Sequence, residues 1–275
     1  MQQLTLCRTD PIVALIYERF SANMVRVPDS RIRPLSIIAA RRGRNAWRGS
    51  LLPLLSNPRA FGIRPEVSQL TDVSGKRSRR VTLDLGMHIL RGFLKGFGLP
   101  SADLTSTLGR STYLSFAFPS VRRAAYDLGA LGWALAGQQI DRGNPAATIF
   151  FGDERHDLLL IDSVLISDQI SVTFFNERGQ QSDLDVSALT KIFAGAEAHS
   201  KGEGQAELIL KSEKELTFAF TCVRLFLDQE GRITAMPPDH LLRTLGIPDE
   251  PPPQVRYSPD RVLLHAQPGL VMLDS

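Results

Sequence analysis

LLLIDSVLISDQISVTFF, Leu158 to Phe175, is the stretch whose reading decides the fold. From Leu158 to Ser167 it is apolar with little interruption, the composition of a strand covered on both faces. Beyond that, Ile170, Val172 and Phe174 alternate with Ser171, Thr173 and Phe175, the two-residue period of a half-buried strand. Asn144-Pro145 and Arg178-Gly179 punctuate either side with turn residues. A second stretch, Leu216 to Leu227, is equally rich in aromatic and aliphatic residues and reads as a long strand, with Glu207 to Lys211 extended ahead of it.

Working outward, Asp10 caps and Pro11 opens a helix through about Phe20, with Ile12, Leu15 and Ile16 on one face. Met24 to Val27 and Leu35 to Ala40 read as extended, and Arg59 to Leu70 as irregular, broken by Pro58 and Pro65. After a turn at Asp72 to Lys76, the alternation of Val81, Leu83, Leu85 and Met87 with Thr82, Asp84 and Gly86 predicts a strand, followed by a helix from His88 to Phe97. Gly92 and Gly96 count against that helix. Ser120 is placed to cap an apolar helix through Ala136, Thr148 to Phe151 reads as a strand, and Gly152 to Asp157 as a charged turn. Val186 to Ala194 reads as helical and Gly195 to Gly204 as flexible. The sum is an α+β domain, a mixed sheet with a minority of helices, and no repeat of solenoid length.

With 275 residues and 43% hydrophobic content, the chain has enough apolar material for one large core or two modest ones. No apolar run approaches the roughly 18 residues of a membrane-crossing helix, and the N-terminal residues do not have the pattern of a secretory signal, so a cytoplasmic protein is expected. The net charge of +3 conceals a division: residues 1 to 100 hold 17 Lys/Arg against 6 Asp/Glu, the remainder 15 against 23. Arg41, Arg42 and Arg44, and Lys76, Arg77, Arg79 and Arg80, form two basic clusters suited to an anionic surface such as acidic lipid. Each also reads as a solvated loop. Only Trp47 and Phe61 lie near them as stacking aromatics, and no helix-turn-helix or finger pattern appears, so no nucleic-acid partner is expected.

Enzyme signatures are missing. There is no G-x-S-x-G, H-E-x-x-H, Walker A, G-x-G-x-x-G or C-x-x-C, and Cys7 and Cys222 have no metal spacing. Asp153-Glu154-Arg155-His156-Asp157 gathers acid and imidazole groups, but five polar residues between apolar segments are more simply a hydrated turn. Cys222 alternates inward with Phe218 and Phe220 and reads as a small hydrophobe. Neither enzyme, metal nor cofactor is expected.

The end of the chain stands apart. Pro237-Pro238 and the stretch Ile247 to Pro253 form a proline-rich linker, whose prolines withhold ladder donors. Beyond it Val262, Leu263, Leu264, Leu270, Val271, Met272 and Leu273 are too apolar to remain in water and must dock. Two readings are open: an ordinary terminal strand packing on its own domain, or a cover over a surface otherwise used.

Several stretches, in order, resemble the bacterial gasdermins, relatives of the pore-forming cell-death proteins of animals. Asn23-Met24-Val25-Arg26-Val27-Pro28 followed by Ile32-Arg33-Pro34-Leu35 resembles the family's extended N-V-V-R-L-P segment and I-x-P-L. Leu83-Asp84-Leu85-Gly86-Met87-His88-Ile89-Leu90 is similar to L-x-L-G-x-x-I-L. Gly143-Asn144-Pro145, then Leu159 to Val172, and Leu216 to Leu225 complete the likeness, which spans about residues 5 to 235. The resemblance implies a twisted, mostly antiparallel central sheet with surrounding helices, held inactive by a short C-terminal tail. It divides the chain into a pore-forming domain at 1–236, a linker at 237–257 and an autoinhibitory tail at 258–275. It further implies activation by a neighbouring protease, binding to the inner membrane, and assembly of a chain that is monomeric when intact into a homo-oligomeric β-barrel pore, a suicide defence against phage. Candidate cut positions are Asp239, Arg243, Asp249 and Arg256. Cys7 corresponds to a cysteine that carries a palmitoyl group in some relatives, the single covalent addition expected; an unmodified thiol is the alternative. Inserting hairpins are expected from about Arg59 to Met87 and from about Leu158 to Leu210. Competing with this are a soluble binding or scaffold protein whose basic third holds an anionic partner, and a hydrolase built around His156.

Overall fold

A computed structural model describes residues 11–71, 81–98, 112–152, 154–175, 207–234, 257–258, 261–262, 264 and 270–274. The expected turn at 72–76, the helix at 186–194 and the flexible section at 195–204 lie outside these residues.

The two stretches that suggested a sheet form its spine. Strand β8, Asp157–Phe175, and strand β9, Glu207–Leu227, are 19 and 21 residues long and pair antiparallel from Leu158↔Leu225 to Thr173↔Glu207. The sequence divides each into two segments; the structure joins them through irregularities of register, one of them between Ser167 and Gln169. There the Ser167 hydroxyl accepts the Gln169 N–H at 3.3 Å and reaches the Ser120 carbonyl at 2.7 Å, so the bulge keeps its polar groups bonded.

Other strands line up on this spine. Strand β1, Asn23–Asp29, lies beside β9; β2, Ser36–Arg41, lies beside the start of β8; and β3, Arg44–Ser50, forms a hairpin with β2. Strand β4, Glu66–Gln69, pairs β7, Arg122–Ala125, which pairs the middle of β8; β5, Val81–Thr82, pairs β6, Tyr113–Ala117, which runs along the end of β8. Strand β10, Ile233–Thr234, turns back on the end of β9. Except at the tail, every strand pair in the main sheet is antiparallel among the described residues.

Helix α1, Pro11–Phe20, forms where the capping signal placed it. Helix α2, Leu83–Phe97, corrects the strand expected over Val81 to Met87: only Val81–Thr82 is extended. Leu83, Met87, Leu90, Leu94 and Phe97 also recur at spacings of four and three, and this helical stripe wins, burying Leu90, Phe93 and Leu94. Gly92 and Gly96 turn out to serve the packing. A Cβ on Gly92 would stand 2.5 Å from the Arg26 carbonyl oxygen and one on Gly96 2.4 Å from that of Pro28, so α2 lies against β1 at a distance only glycine permits.

Two further expectations change. Instead of one helix from Ser120 to Ala136, the chain forms β7 and then a shorter helix α3, Leu128–Leu135, whose N-cap Asp127 accepts the Ala130 N–H at 2.8 Å. Instead of a strand at Thr148 to Phe151, Pro145–Phe150 is a 3-10 helix capped by Asn144.

Three apolar clusters result. The first lies between α1, α2 and the distal halves of β8 and β9, and contains Ile16, Leu90, Leu94, Phe118, Phe174 and Phe218. The second packs α3 and the 3-10 turns on one face of the proximal half. The third fills the opposite face with Val25, Ile38, Leu159, Ile161, Phe220 and Cys222.

Candidate functional site at the tail seam

The main path of the sheet runs β1, β9, β8, β2, β3, so β1 and β3 are its outer strands. Unpaired outer strands expose rows of backbone donors and acceptors. Here residues near the end of the chain cover both. Strand β13, Leu270–Val271, pairs parallel with β1 through Met24↔Leu270 and Val25↔Val271. Three residues on, Asp274 forms a parallel bridge with Ala46: the Trp47 N–H donates to the Asp274 carbonyl at 2.9 Å, and the Asp274 N–H to the Asn45 carbonyl at 2.9 Å. Successive antiparallel pairings make β1 and β3 run in one direction, so a single strand is parallel to both. Within 270–274 the tail thus touches the two outer strands and closes the seam between them.

Ahead of this, β11, Tyr257–Ser258, and β12, Arg261–Val262, make a two-stranded ribbon that leads the tail onto the third cluster. Val262 is 5% exposed and Val271 1%; Leu264 and Leu273 are partly buried against that cluster and Leu270 against the first. Met272 is 52% exposed, so the apolar tail residues are not all buried. Leu263 lies outside the described residues.

Asn23 holds the middle of the tail. It is 3% exposed, its Oδ1 accepts the Leu264 N–H at 2.8 Å, and its Nδ2 donates to the Val262 carbonyl at 3.0 Å, with the Cys222 Sγ 3.9 Å away. Turned over, the amide would set oxygen against the carbonyl and lose both bonds, so the tail's backbone fixes its orientation. The Cys222 thiol donates to the same Val262 carbonyl at 3.5 Å. Burial, with a smaller contribution from the Asp162 charge, pushes that thiol far above its ordinary value, so it stays protonated and unreactive in place. Asp162 is fully buried and accepts the Thr221 hydroxyl at 2.8 Å.

Beside the seam is a groove of about 350 Å³ lined by Arg26, Asp29, Arg31, Trp47, Lys95 and Met272, among others. Arg31 pairs with Asp29 at 2.7 Å and stacks over the Trp47 ring at 5.1 Å. Burial raises the Asp29 carboxyl, but the hydrogen bonds and charge of Arg31 outweigh this and hold it below its ordinary value.

Arg41, Arg42 and Arg44 meet at the tip of the β2–β3 hairpin, where Arg42 and Gly43 take positive φ. Arg42 and Arg44 are exposed, whereas Arg41 bonds Glu154 at 3.0 Å, and that hydrogen bond lowers the Glu154 carboxyl. Lys76, Arg77, Arg79, Arg80, Cys7 and the four candidate cut positions lie outside the described residues. His156 donates its backbone N–H to the Ile149 carbonyl at 2.9 Å, and no group of three or more potential metal-binding side chains occurs among the described residues. Sequence reasoning missed Asn23 and Asn45 as partners of the tail; a polar residue opening an apolar strand is the only signal Asn23 gives.

Known proteins share this plan. The sequence model of the Bacterial Gasdermin Family matches residues 25–232. The gasdermin bGSDM of Vitiosangium sp. (strain GDMCC 1.1324) is 26% identical over 242 residues, covering 83% of this chain and 88% of that protein. The gasdermin bGSDM of Lysobacter enzymogenes is 22% identical over 240 residues, covering 86% and 87%. A solved structure of a bacterial gasdermin from Bradyrhizobium tropiciagri superimposes with a TM-score of 0.56 at 17% identity, over 83% of this chain and 91% of that one, so the fold is shared. Because the match runs from β1 through both spine strands to the start of β10, the chain belongs to the bacterial gasdermins, a family of pore-forming cell-death proteins.

Proposed function

We propose that this gasdermin is an autoinhibited pore former in which residues 258–275 are the brake and a protease is the trigger. The observation that carries the reading is the seam: one short segment bonds both outer strands and inserts Val262 and Val271 into the body. A cut in the linker at 237–257, at or near Asp239, Arg243, Asp249 or Arg256, leaves that segment held only by its own contacts. Once it leaves, the third cluster loses part of its cover and both edges present unpaired backbone, which water satisfies and lipid does not.

The freed body then binds the inner membrane through Arg42, Arg44 and the basic residues at 76–80, and copies assemble into a barrel. Helix α2 begins at Leu83, so a hairpin from 59–87 requires its first turn to unwind; the second hairpin, from about Leu158 to Leu210, would draw on β8 and the first residues of β9, which pair antiparallel in this state. No described helix is long and apolar enough to cross a membrane, whereas crossing by strands takes about 9 to 11 residues each. A palmitoyl group on Cys7 adds membrane affinity at about 0.8 kcal/mol for each buried methylene. Killing of the infected cell, as a defence against phage, is the outcome this design serves.

Dye release from liposomes containing anionic lipid tests the proposal. The full chain should be silent and a chain ending between Asp239 and Val255 should empty the vesicles. Silence from both ends the reading, and equal leakage from both removes the tail's role.

A further inference from the structure

Every hydrogen bond between the described tail residues and the body uses tail main-chain atoms: the Val262 carbonyl, the Leu264 N–H, both groups of Asp274 and the ladder at Leu270–Val271. The body supplies a side-chain amide at Asn23, the Cys222 thiol and the strand edges of β1 and β3. Among the described tail side chains, Val262, Leu264, Leu270 and Leu273 meet the body through apolar contact. An interface of this kind recognises a conformation and an apolar pattern rather than a particular polar sequence.

We propose that the seam is a peptide-binding site of the strand-addition type, which takes an extended apolar peptide in trans once the linker is cut. The claim that an occupied site restrains the body rests on the proposed function above; the binding itself does not. Joined to the body, the tail sees the seam at an effective concentration of the millimolar order, and cutting removes only that advantage. The severed tail therefore stays seated at first, and the body is released by dilution or by competition for the seam. Separate copies of the segment compete for the same seat.

The test inserts a site for a sequence-specific protease at Pro251–Pro253 in the full chain and cuts it in solution without membranes. Gel filtration should show the released fragment, which begins at about Gln254 and contains 257–275, travelling with the body. A fluorescent synthetic 257–275 peptide should then exchange in, with saturable polarisation. Leu264→Pro in the peptide deletes the N–H that Asn23 accepts and should weaken binding about tenfold or more. Met272→Ala, at an exposed position, should change it less than about threefold. No saturable binding, or equal binding of the Leu264→Pro peptide, overturns the site. In the dye assay, excess peptide should silence the truncated chain; continued leakage at saturation overturns the restraint. A truncated chain that never leaks refutes the proposed function, while the polarisation result still decides the site.

Discussion

Replacing Asn23 by alanine deletes the side chain that makes two of the three side-chain bonds described to the middle of the tail, leaving the long Cys222 thiol contact, and the structure sets the size of the effect. Two hydrogen bonds are lost, in a place where Asn23 is 3% and Val262 5% exposed: the Leu264 N–H loses the Asn23 acceptor, and the Val262 carbonyl keeps only the weak Cys222 thiol at 3.5 Å. At about 1 kcal/mol net for each bond, the closed tail loses roughly 2 kcal/mol, or about thirtyfold in its opening equilibrium. The neighbouring cluster keeps most of its packing, so the body should hold its global stability. Hydrogen exchange followed by mass spectrometry reads this directly: the Leu264 amide should exchange about thirtyfold faster in the variant, whereas amides of β8 such as Leu160 should be unchanged. Asn23→Asp should loosen the tail further, since it keeps an acceptor but sets a buried carboxylate against the Val262 carbonyl. Unchanged exchange at Leu264 in both variants would refute the idea that Asn23 holds the tail.

Gly96→Ala drives a Cβ to 2.4 Å from the Pro28 carbonyl oxygen and 2.9 Å from Leu216 Cδ1, so α2 must move off β1; about 2 kcal/mol of stability and roughly 4–8 °C of melting temperature should go, read by calorimetry. In a Cys7→Ser chain, Cys222 should be silent to a maleimide while the tail is seated and should react after its removal; equal rates before and after would contradict the cover over the thiol. The Asp29 carboxyl, held below its ordinary value of 3.8, contributes stability that is complete above that value and fades as the pH falls through its lowered folded value. Arg31 is largely exposed, so the effect should be small: in a Trp133→Phe chain, Trp47 fluorescence should shift only below about pH 4 as Arg31 leaves its ring, and a shift near neutrality would rule Asp29 out.

The sheet was legible because its spine is chemically simple: strands covered on both faces need long aliphatic runs, and Leu158 to Phe175 supplies one. The docking of the tail was legible for the same reason. Misreadings arose where two periods coincide or a long-range partner overrides local preference. Leu83 to Met87 satisfies alternation and a helical stripe together, and packing on β1 selects the helix. Arg122–Ala125 has good helix formers, yet β8 and β4 on either side draw it into the sheet. Asn144 and Pro145 set a helical start that outweighs the strand-forming Thr148, Ile149 and Phe150. Asn23 was illegible in principle, because its partner Val262 lies 239 positions away and no local pattern reports such a bond.

That distance also fixes an order of events during synthesis. Strand β1 is made well before β9, whereas Leu270 follows the end of β9 by about forty residues, some 2–10 s of translation at ordinary rates. A newborn chain therefore passes through an interval in which its sheet is assembled and its clasp is still inside or just leaving the ribosome. The segment that closes the seam is thus the last piece to reach it, and it can seat only after β1, β8 and β9 have all been made.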